Sequence, residues 1–271
     1  MLPAAKAVPK EMLPVLDRPT IQYVVEEAAA GGVRDVLLVT SRDKKAIEDH
    51  FDRWPELEQR LESQGKGDLL ASINRLVASV RIHATRQGQP LGLGHAVLQA
   101  RDHVGDQPFV CLLGDTIFVG DVPPARQLID AYQRFGTSVI GLEEVPPEKV
   151  SRYGIVGGQP IEPGVLRLDT LVEKPSPQDA PSRFAIAARY VLSPTIFQCL
   201  QETPPGKGGE IQLTDALRLL LQREPIHGVV LQARRHDIGN PVDWLRTNLL
   251  LASRDAALWS QLEPMLRALL K

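Results

Sequence analysis

Pro19-Thr20-Ile21-Gln22-Tyr23-Val24-Val25-Glu26-Glu27-Ala28-Ala29-Ala30-Gly31-Gly32-Val33-Arg34-Asp35-Val36-Leu37-Leu38-Val39-Thr40 is the stretch whose reading decides the fold. Pro19 can open a helix, because its missing N–H would have no helical partner there and its fixed φ is already helical. Ile21, Val24, Val25 and Ala28 then fall on one helical face, and Gly31-Gly32 can close the helix before an apolar, β-branched run from Val36 to Thr40. A helix delivered directly into a buried strand predicts a β-α-β unit, and the same alternation continues outward along the chain. A charged helix is expected from Asp43 to Phe51, then a helical region from Trp54 to Arg75 broken at Gly65-Lys66-Gly67. Further strands are expected at Val80 to Ala84, Phe109 to Leu113, Ser138 to Leu142, Ile155 to Val156, Leu166 to Val172, Ala185 to Leu192 and Val229 to Leu231. The later strands follow one another with fewer helices between them, which predicts a smaller antiparallel or mixed section laid against a mostly parallel, Rossmann-like α/β sheet. Leu258, Leu262, Met265, Leu266 and Leu269 recur at helical spacing near the C-terminus and are expected to pack on the chain's own domain.

Composition narrows the classes of function. A chain of 271 residues with 43% hydrophobic and 24% charged residues suits one globular domain spanning 1–271. No segment approaches the ~18 consecutive apolar residues of a membrane span. A net charge of −2 gives no overall basic field for nucleic acid, so a phosphate-bearing ligand must meet locally placed lysines and backbone amides. Two cysteines, Cys111 and Cys199, have neither metal-ligand spacing nor the look of a disulfide framework, and the N-terminus lacks a secretory stretch, so a cytoplasmic setting is expected.

Four groups of residues can carry chemistry. Lys10 lies in Pro9-Lys10-Glu11-Met12-Leu13-Pro14, where prolines hold a loop extended and a desolvated lysine can neutralise phosphate charge; a solvated surface lysine is the plainer alternative. Arg86-Gln87-Gly88-Gln89-Pro90-Leu91-Gly92-Leu93-Gly94-His95-Ala96 forms a glycine-rich turn ahead of an expected helix at Val97 to Ala100. Gln87 can both donate and accept at a pyrimidine edge while Gly92 lets backbone approach the ring, although an ordinary strand-to-helix turn would read the same way. Asp115, after the strand Phe109 to Leu113, sits where open α/β sheets gather their ligands, and it suits Mg²⁺ if a second carboxylate converges on it. Asp237, in His236-Asp237-Ile238-Gly239-Asn240, is the best distant partner by the same argument. Finally Glu173, in Val172-Glu173-Lys174-Pro175, can accept bonds from sugar hydroxyls, whereas Lys174 points to the other face and needs a turn to reach a sugar phosphate.

The order of motifs resembles bacterial UTP–glucose-1-phosphate uridylyltransferases of the sugar-nucleotide pyrophosphorylase family. The residues carrying the resemblance are Pro9 to Pro14, Ile21-Gln22-Tyr23-Val24-Val25, the Gln87 to Ala96 turn, Glu173-Lys174-Pro175, Glu210-Ile211-Gln212-Leu213-Thr214-Asp215-Ala216, and His236 to Asn240. It implies the nucleotide-diphospho-sugar transferase fold and the formation of UDP-glucose and pyrophosphate from UTP and glucose 1-phosphate. It further implies that Gln87 and Gly92 contact uracil, Lys10 and Lys174 contact phosphates, Gly154 and Glu173 hold glucose, and Asp115 and Asp237 bind Mg²⁺. Assembly into a homo-oligomer is compatible with it. Family members open with a hydrophobic strand and a Gly-x-Gly-Thr-Arg loop that nothing ahead of Met1 matches, so a sheet without its first strand and weak or absent turnover are expected; a late start codon is the preferred explanation. Gly114-Asp115-Thr116 looks like the thymidylyltransferase branch, and Ala188 stands where glycine is common. Two alternatives therefore stand beside the uridylyltransferase reading: a glucose-1-phosphate thymidylyltransferase, and a non-catalytic UDP-sugar-binding homologue.

Overall fold

A computed structural model describes residues 1–269. A short hairpin, β1 (Pro14–Val15) and β2 (Arg18–Pro19), leads into α1 (Thr20–Ala30). Pro19 caps α1 in an extended conformation, Ile21, Val24, Val25 and Ala28 are buried, and Gly32 at φ +100° ends the helix, all as the sequence predicts. Next come β3 (Asp35–Thr40), α2 (Lys45–Phe51), α3 (Pro55–Ser63), α4 (Ala71–Ser79) and β4 (Arg81–Arg86), with the expected break falling between α3 and α4. Strands β3 and β4 pair in parallel, Asp35 opposite Arg81 through Thr40 opposite Arg86. The right-hand neighbours in sequence are α5 (Leu93–Leu98), α6 (Arg101–Val104), β5 (Phe109–Leu112), β6 (Thr116–Val119), α7 (Pro124–Phe135) and β7 (Val139–Glu144). The chain continues through β8 (Gly154–Glu162), β9 (Val165–Glu173), β10 (Phe184–Leu192), α8 (Thr195–Glu202), α9 (Leu213–Leu221), β11 (His227–Val230), β12 (Arg234–Asp237), α10 (Pro241–Ala252) and α11 (Ala256–Leu269).

The α/β class holds, but antiparallel pairing takes a larger share than the sequence suggests. The main sheet has the order β5-β10-β7-β11-β9-β8, and only β7 and β11 pair in parallel within it. The reason is β10: it pairs antiparallel with both β5 and β7, so β5, β7 and β11 share one direction while a reversed strand separates β5 from the rest. Strand β8 also meets the first residues of β10, curling the far edge of the sheet back on itself. One face is covered by α8 and α9 over a core containing Ile140, Leu142, Leu168, Phe197, Leu200 and Leu217. The other carries α7, whose Leu128 is fully buried against Val139 and Val191. Each fully buried leucine of this kind contributes about 2 kcal/mol of transfer free energy.

Three local expectations need correction. The helix after the glycine-rich turn starts at Leu93 rather than Val97. Asp237 does not simply follow the strand ending near Leu231; it closes a separate strand, β12, which pairs antiparallel with β6. Neither short strand was anticipated: Arg234-Arg235-His236-Asp237 is polar and reads as loop, and the apolar Thr116-Ile117-Phe118-Val119 follows too closely on the turn at Gly114-Asp115 to stand out as a strand of its own. The C-terminal helix α11 packs beside α10 with Leu258, Leu262 and Leu266 half-buried, while Met265 and Leu269 of the expected stripe stay exposed.

A cavity of about 1220 Å³ is bordered by both β3 and β5. Its lining is apolar along Ile21, Val25, Leu38 and Leu112 and includes the polar groups of Lys10, Gln87 and Asp115.

Candidate active site

Asp115 owes its position to the end of β5. Leu113 still donates to the Ala188 carbonyl at 3.2 Å, after which Gly114 turns the chain; a Cβ at 114 would lie 3.0 Å from Ile21 Cδ1. The β6–β12 ladder then sets Asp237 opposite Thr116, and Ile238 N–H donates to the Asp115 carbonyl at 3.1 Å. Two aspartates more than a hundred residues apart thus stand side by side at one sheet edge. Lys10 Nζ reaches Asp115 Oδ2 at 2.5 Å from the short turn Lys10–Met12. Burial works against the Lys10 charge, but Asp115, Glu11 and Asp237 outweigh it and raise its pKa above the ordinary lysine value. Asp237 is steadied through Oδ1, which accepts from Gly239 N–H at 2.8 Å. Beside them Glu11 is buried, with Oε1 bound to Lys44 at 2.6 Å and Oε2 without a partner among the described residues.

The glycine-rich turn is clamped from behind. Gly94 N–H donates to the Ile211 carbonyl and Ile211 N–H to the Leu91 carbonyl, both at 2.8 Å. A Cβ at Gly92 would lie 2.8 Å from Glu210 Cβ and from the Ile211 carbonyl, and its φ of +98° also requires glycine. That close approach accounts for the glycine without any ligand, which the sequence reading attributed to a flat ring. Gln87 places its amide nitrogen 3.0 Å from the Gly92 carbonyl and 2.8 Å from His95 Nδ1. Gln99 Nε2 lies 3.3 Å from His95 Nε2 on the other side of the ring, and the Gln87 carbonyl oxygen has no partner among the described residues. His95, held between Gln87 and Gln99, is a positioning residue of the turn.

A second group forms where β8 and β9 begin and end. Gly154 pairs with Glu173, and a side chain at 154 would press within 3.2 Å of both Glu173 Oε2 and Thr214 Oγ1. Thr214 donates to Glu173 Oε2 at 2.8 Å, fixing the carboxylate. Lys174 adopts φ +46°, the turn that the alternation of a strand demanded, and its Nζ comes back to 3.2 Å from Glu173 Oε1. Tyr153, next to Gly154, lies under the Arg235 guanidinium at 4.2 Å from the ring centre.

Lys10, Gln87, Gly92 and Asp115 border one cavity, with Asp237 joined to them through the β6–β12 ladder. Gly154, Glu173 and Lys174 form the separate group, linked to the turn through the segment from Glu210 to Thr214. Sequence reasoning gave no role to Glu11, Glu210 or Thr214. Glu210 and Thr214 stood inside a quoted motif, but only contacts with the glycine turn and with Glu173 reveal what they do. Arg189 was missed entirely: it is fully buried beneath Asp115, paired with Glu27 at 2.7 Å and donating to the carbonyls of Ala188 and Thr116 at 3.0 and 2.8 Å.

The chain belongs to the nucleotidyl transferase family, whose sequence profile matches residues 1–254. It is 47% identical to a UTP–glucose-1-phosphate uridylyltransferase of Bacillus subtilis, over 100% of this chain and 91% of that protein. A second B. subtilis UTP–glucose-1-phosphate uridylyltransferase is 45% identical over 99% of this chain and 92% of its own length. Among solved structures, the UTP-bound enzyme of Acinetobacter baumannii superposes with a TM-score of 0.90 at 38% identity, covering 98% of this chain and 93% of that one. A UDP-glucose pyrophosphorylase complexed with UDP-glucose gives 0.86 at 38% identity, with 94% of each chain covered.

Proposed function

We propose that this chain transfers the uridylyl group of UTP to glucose 1-phosphate, releasing pyrophosphate and forming UDP-glucose. The observation that carries the reading is the meeting of Asp115, Asp237 and Lys10 at one sheet edge beside Gln87 and Gly92. The relatives named for this activity, matched over nearly their whole length, support it. A thymidylyltransferase neighbour at 22% identity shares the fold alone.

In this reaction a phosphate oxygen of glucose 1-phosphate bonds to the α-phosphorus of UTP, and the bond from that phosphorus to the bridging oxygen breaks as pyrophosphate leaves. The attacking phosphate is already anionic near neutral pH, so no protein nucleophile or base is needed; alignment and dispersal of charge are the protein's work. Lys10, held protonated by its acidic neighbours, supplies fixed positive charge where the triphosphate would enter. The free Gln87 carbonyl oxygen can accept the uracil ring N–H, while Glu173, steadied by Thr214, accepts from glucose hydroxyls and Lys174 faces the sugar phosphate.

Asp115 and Asp237 suit Mg²⁺: both offer hard carboxylate oxygens, and Asp115 already draws a cationic group to 2.5 Å. When bound there, the ion would neutralise phosphate charge and hold the phosphates for in-line displacement. Free cysteines at 111 and 199 fit a reducing, cytoplasmic setting.

The test is pyrophosphate release from UTP plus glucose 1-phosphate, with UDP-glucose identified as product and dTTP compared as donor. Asp115→Asn should lower kcat at least about a hundredfold while leaving the thermal midpoint within a few degrees. UDP-glucose binding without turnover by a verified full-length protein would instead support a non-catalytic binding role, and a preference for dTTP the thymidylyltransferase one.

A further inference from the structure

At the Asp35 end of β3, where Asp35 and His103 line the same cavity that carries Lys10, Gln87 and Asp115, the register of the parallel ladder builds a second cluster. Asp35 pairs with Arg81, so His83, two residues on, shares a sheet face with them and lies diagonal to Asp35. His103, from α6, completes the group: its Nε2 is 2.9 Å from Asp35 Oδ1, and His83 Nε2 is 3.6 Å from the same oxygen. One ligand atom from each residue lies within 4.8 Å of the others, and the two imidazole rings approach with centroids 4.8 Å apart. Arg81 holds the other carboxylate oxygen, Oδ2, at 3.2 Å and so orients Asp35 from outside the cluster.

We infer that Asp35, His83 and His103 form a binding site for a divalent transition-metal ion of the zinc type, distinct from the Mg²⁺ carboxylates at the cleft. Tetrahedral zinc with bonds of ~2.0–2.1 Å sets its ligand atoms ~3.3–3.4 Å apart, and the Asp35 distances of 2.9 and 3.6 Å bracket that spacing. Two imidazole nitrogens and one carboxylate select zinc, nickel or copper over magnesium. Two of the ligands stand on paired strands, so the site is held by rigid elements rather than by a loop. All three residues are exposed, which leaves a coordination position open to water. Five residue steps of ~3.3 Å separate Asp35 from Thr40, whose carbonyl accepts from Gln87 N–H at 2.9 Å, so the ion would sit ~16 Å along the strand from the nucleotide turn. Its expected effect is to staple α6 to the β3–β4 ribbon and stabilise the fold without entering the reaction.

The experiment is zinc titration of the full chain by calorimetry in buffer with excess Mg²⁺, with thermal midpoints recorded in parallel. The unaltered protein should take up one zinc ion per chain at micromolar affinity and melt at higher temperature with it. The double variant His83→Asn, His103→Asn should lose at least about tenfold in affinity and the whole thermal shift, with its circular dichroism unchanged because both positions are exposed. Absence of saturable uptake by the unaltered protein, or equal uptake by the double variant, would overturn the inference. Its turnover with Mg²⁺ alone should equal the parent's, which separates this site from the one at Asp115.

Discussion

Removing the Arg189 guanidinium should be among the most damaging single changes to this fold, and the size of the loss follows from its contacts. Nε and Nη2 meet Glu27 Oε1 and Oε2 at 2.9 and 2.7 Å, and the same head serves the carbonyls of Ala188, Leu113 and Thr116. Its plane also lies 4.7 Å from the centre of the Phe118 ring. Arg189→Met strands the Glu27 carboxylate, whose side chain is only 9% exposed and whose one remaining partner among the described residues is Ala125 N–H at 3.2 Å. Breaking a buried pair in this way costs about 3–5 kcal/mol, and the Leu113 and Thr116 carbonyls that lose this donor add about 1 kcal/mol each, while the Ala188 carbonyl keeps Leu113 N–H at 3.2 Å, so about 5–7 kcal/mol is expected. Glu27→Leu should cost about 3 kcal/mol by the same reasoning, since the carbonyls still surround Arg189. In the double variant neither charge is left alone, so its loss should fall short of the sum by at least about 2 kcal/mol. Urea unfolding followed by circular dichroism gives all four corners of the cycle, and Arg189→Lys, expected to lose about 2 kcal/mol because the fork is gone, substitutes if the methionine variant does not fold. Additive losses, or an Arg189→Met protein within about 1 kcal/mol of the parent, would refute the reasoning. Because Leu113 and Thr116 flank Gly114-Asp115, Arg189→Lys should also lower kcat more than it changes KM.

Other outcomes follow from the same structure. Gly92→Ala should lose about 3 kcal/mol in urea unfolding and weaken UTP binding, because φ is +98° and the new Cβ meets the Ile211 carbonyl at 2.8 Å; Gly88→Ala, with nothing within 4 Å, should be silent. Ala188 holds φ +58°, so Ala188→Gly should be neutral within about 0.5 kcal/mol, relief of strain offsetting added chain entropy, whereas Ala188→Val should cost about 2 kcal/mol in thermal melts. Burial pushes His236 down from 6.5 to about 4. A histidine whose folded pKa is depressed adds stability that is present above its unfolded pKa and lost as pH falls toward the folded one. Stability should therefore drop by about 2 kcal/mol between pH 7 and pH 5 from this group, and urea midpoints of His236→Gln should show a flatter slope over that window.

Local pattern alone determined much of this protein. The proline start and glycine end of α1, the apolar stripe between them, the β3 strand, and the need for a turn at Lys174 are consequences of backbone geometry and periodicity, which neighbouring residues encode. Asp115 at a strand's end was legible for the same reason, and the order of motifs named the family. Tertiary structure alone decided which distant residues meet. Asp237 reaches Asp115 because a polar, unpromising tetrapeptide pairs with β6; β10 inserts itself reversed between β5 and β7; Arg189 is drawn under the site by a glutamate on α1; and His103 arrives over the β3–β4 ribbon to join Asp35 and His83. Each of these depends on complementarity between surfaces far apart in the chain, where a strand's partner is chosen by packing and satisfied polar groups, and no periodicity within either segment records that choice.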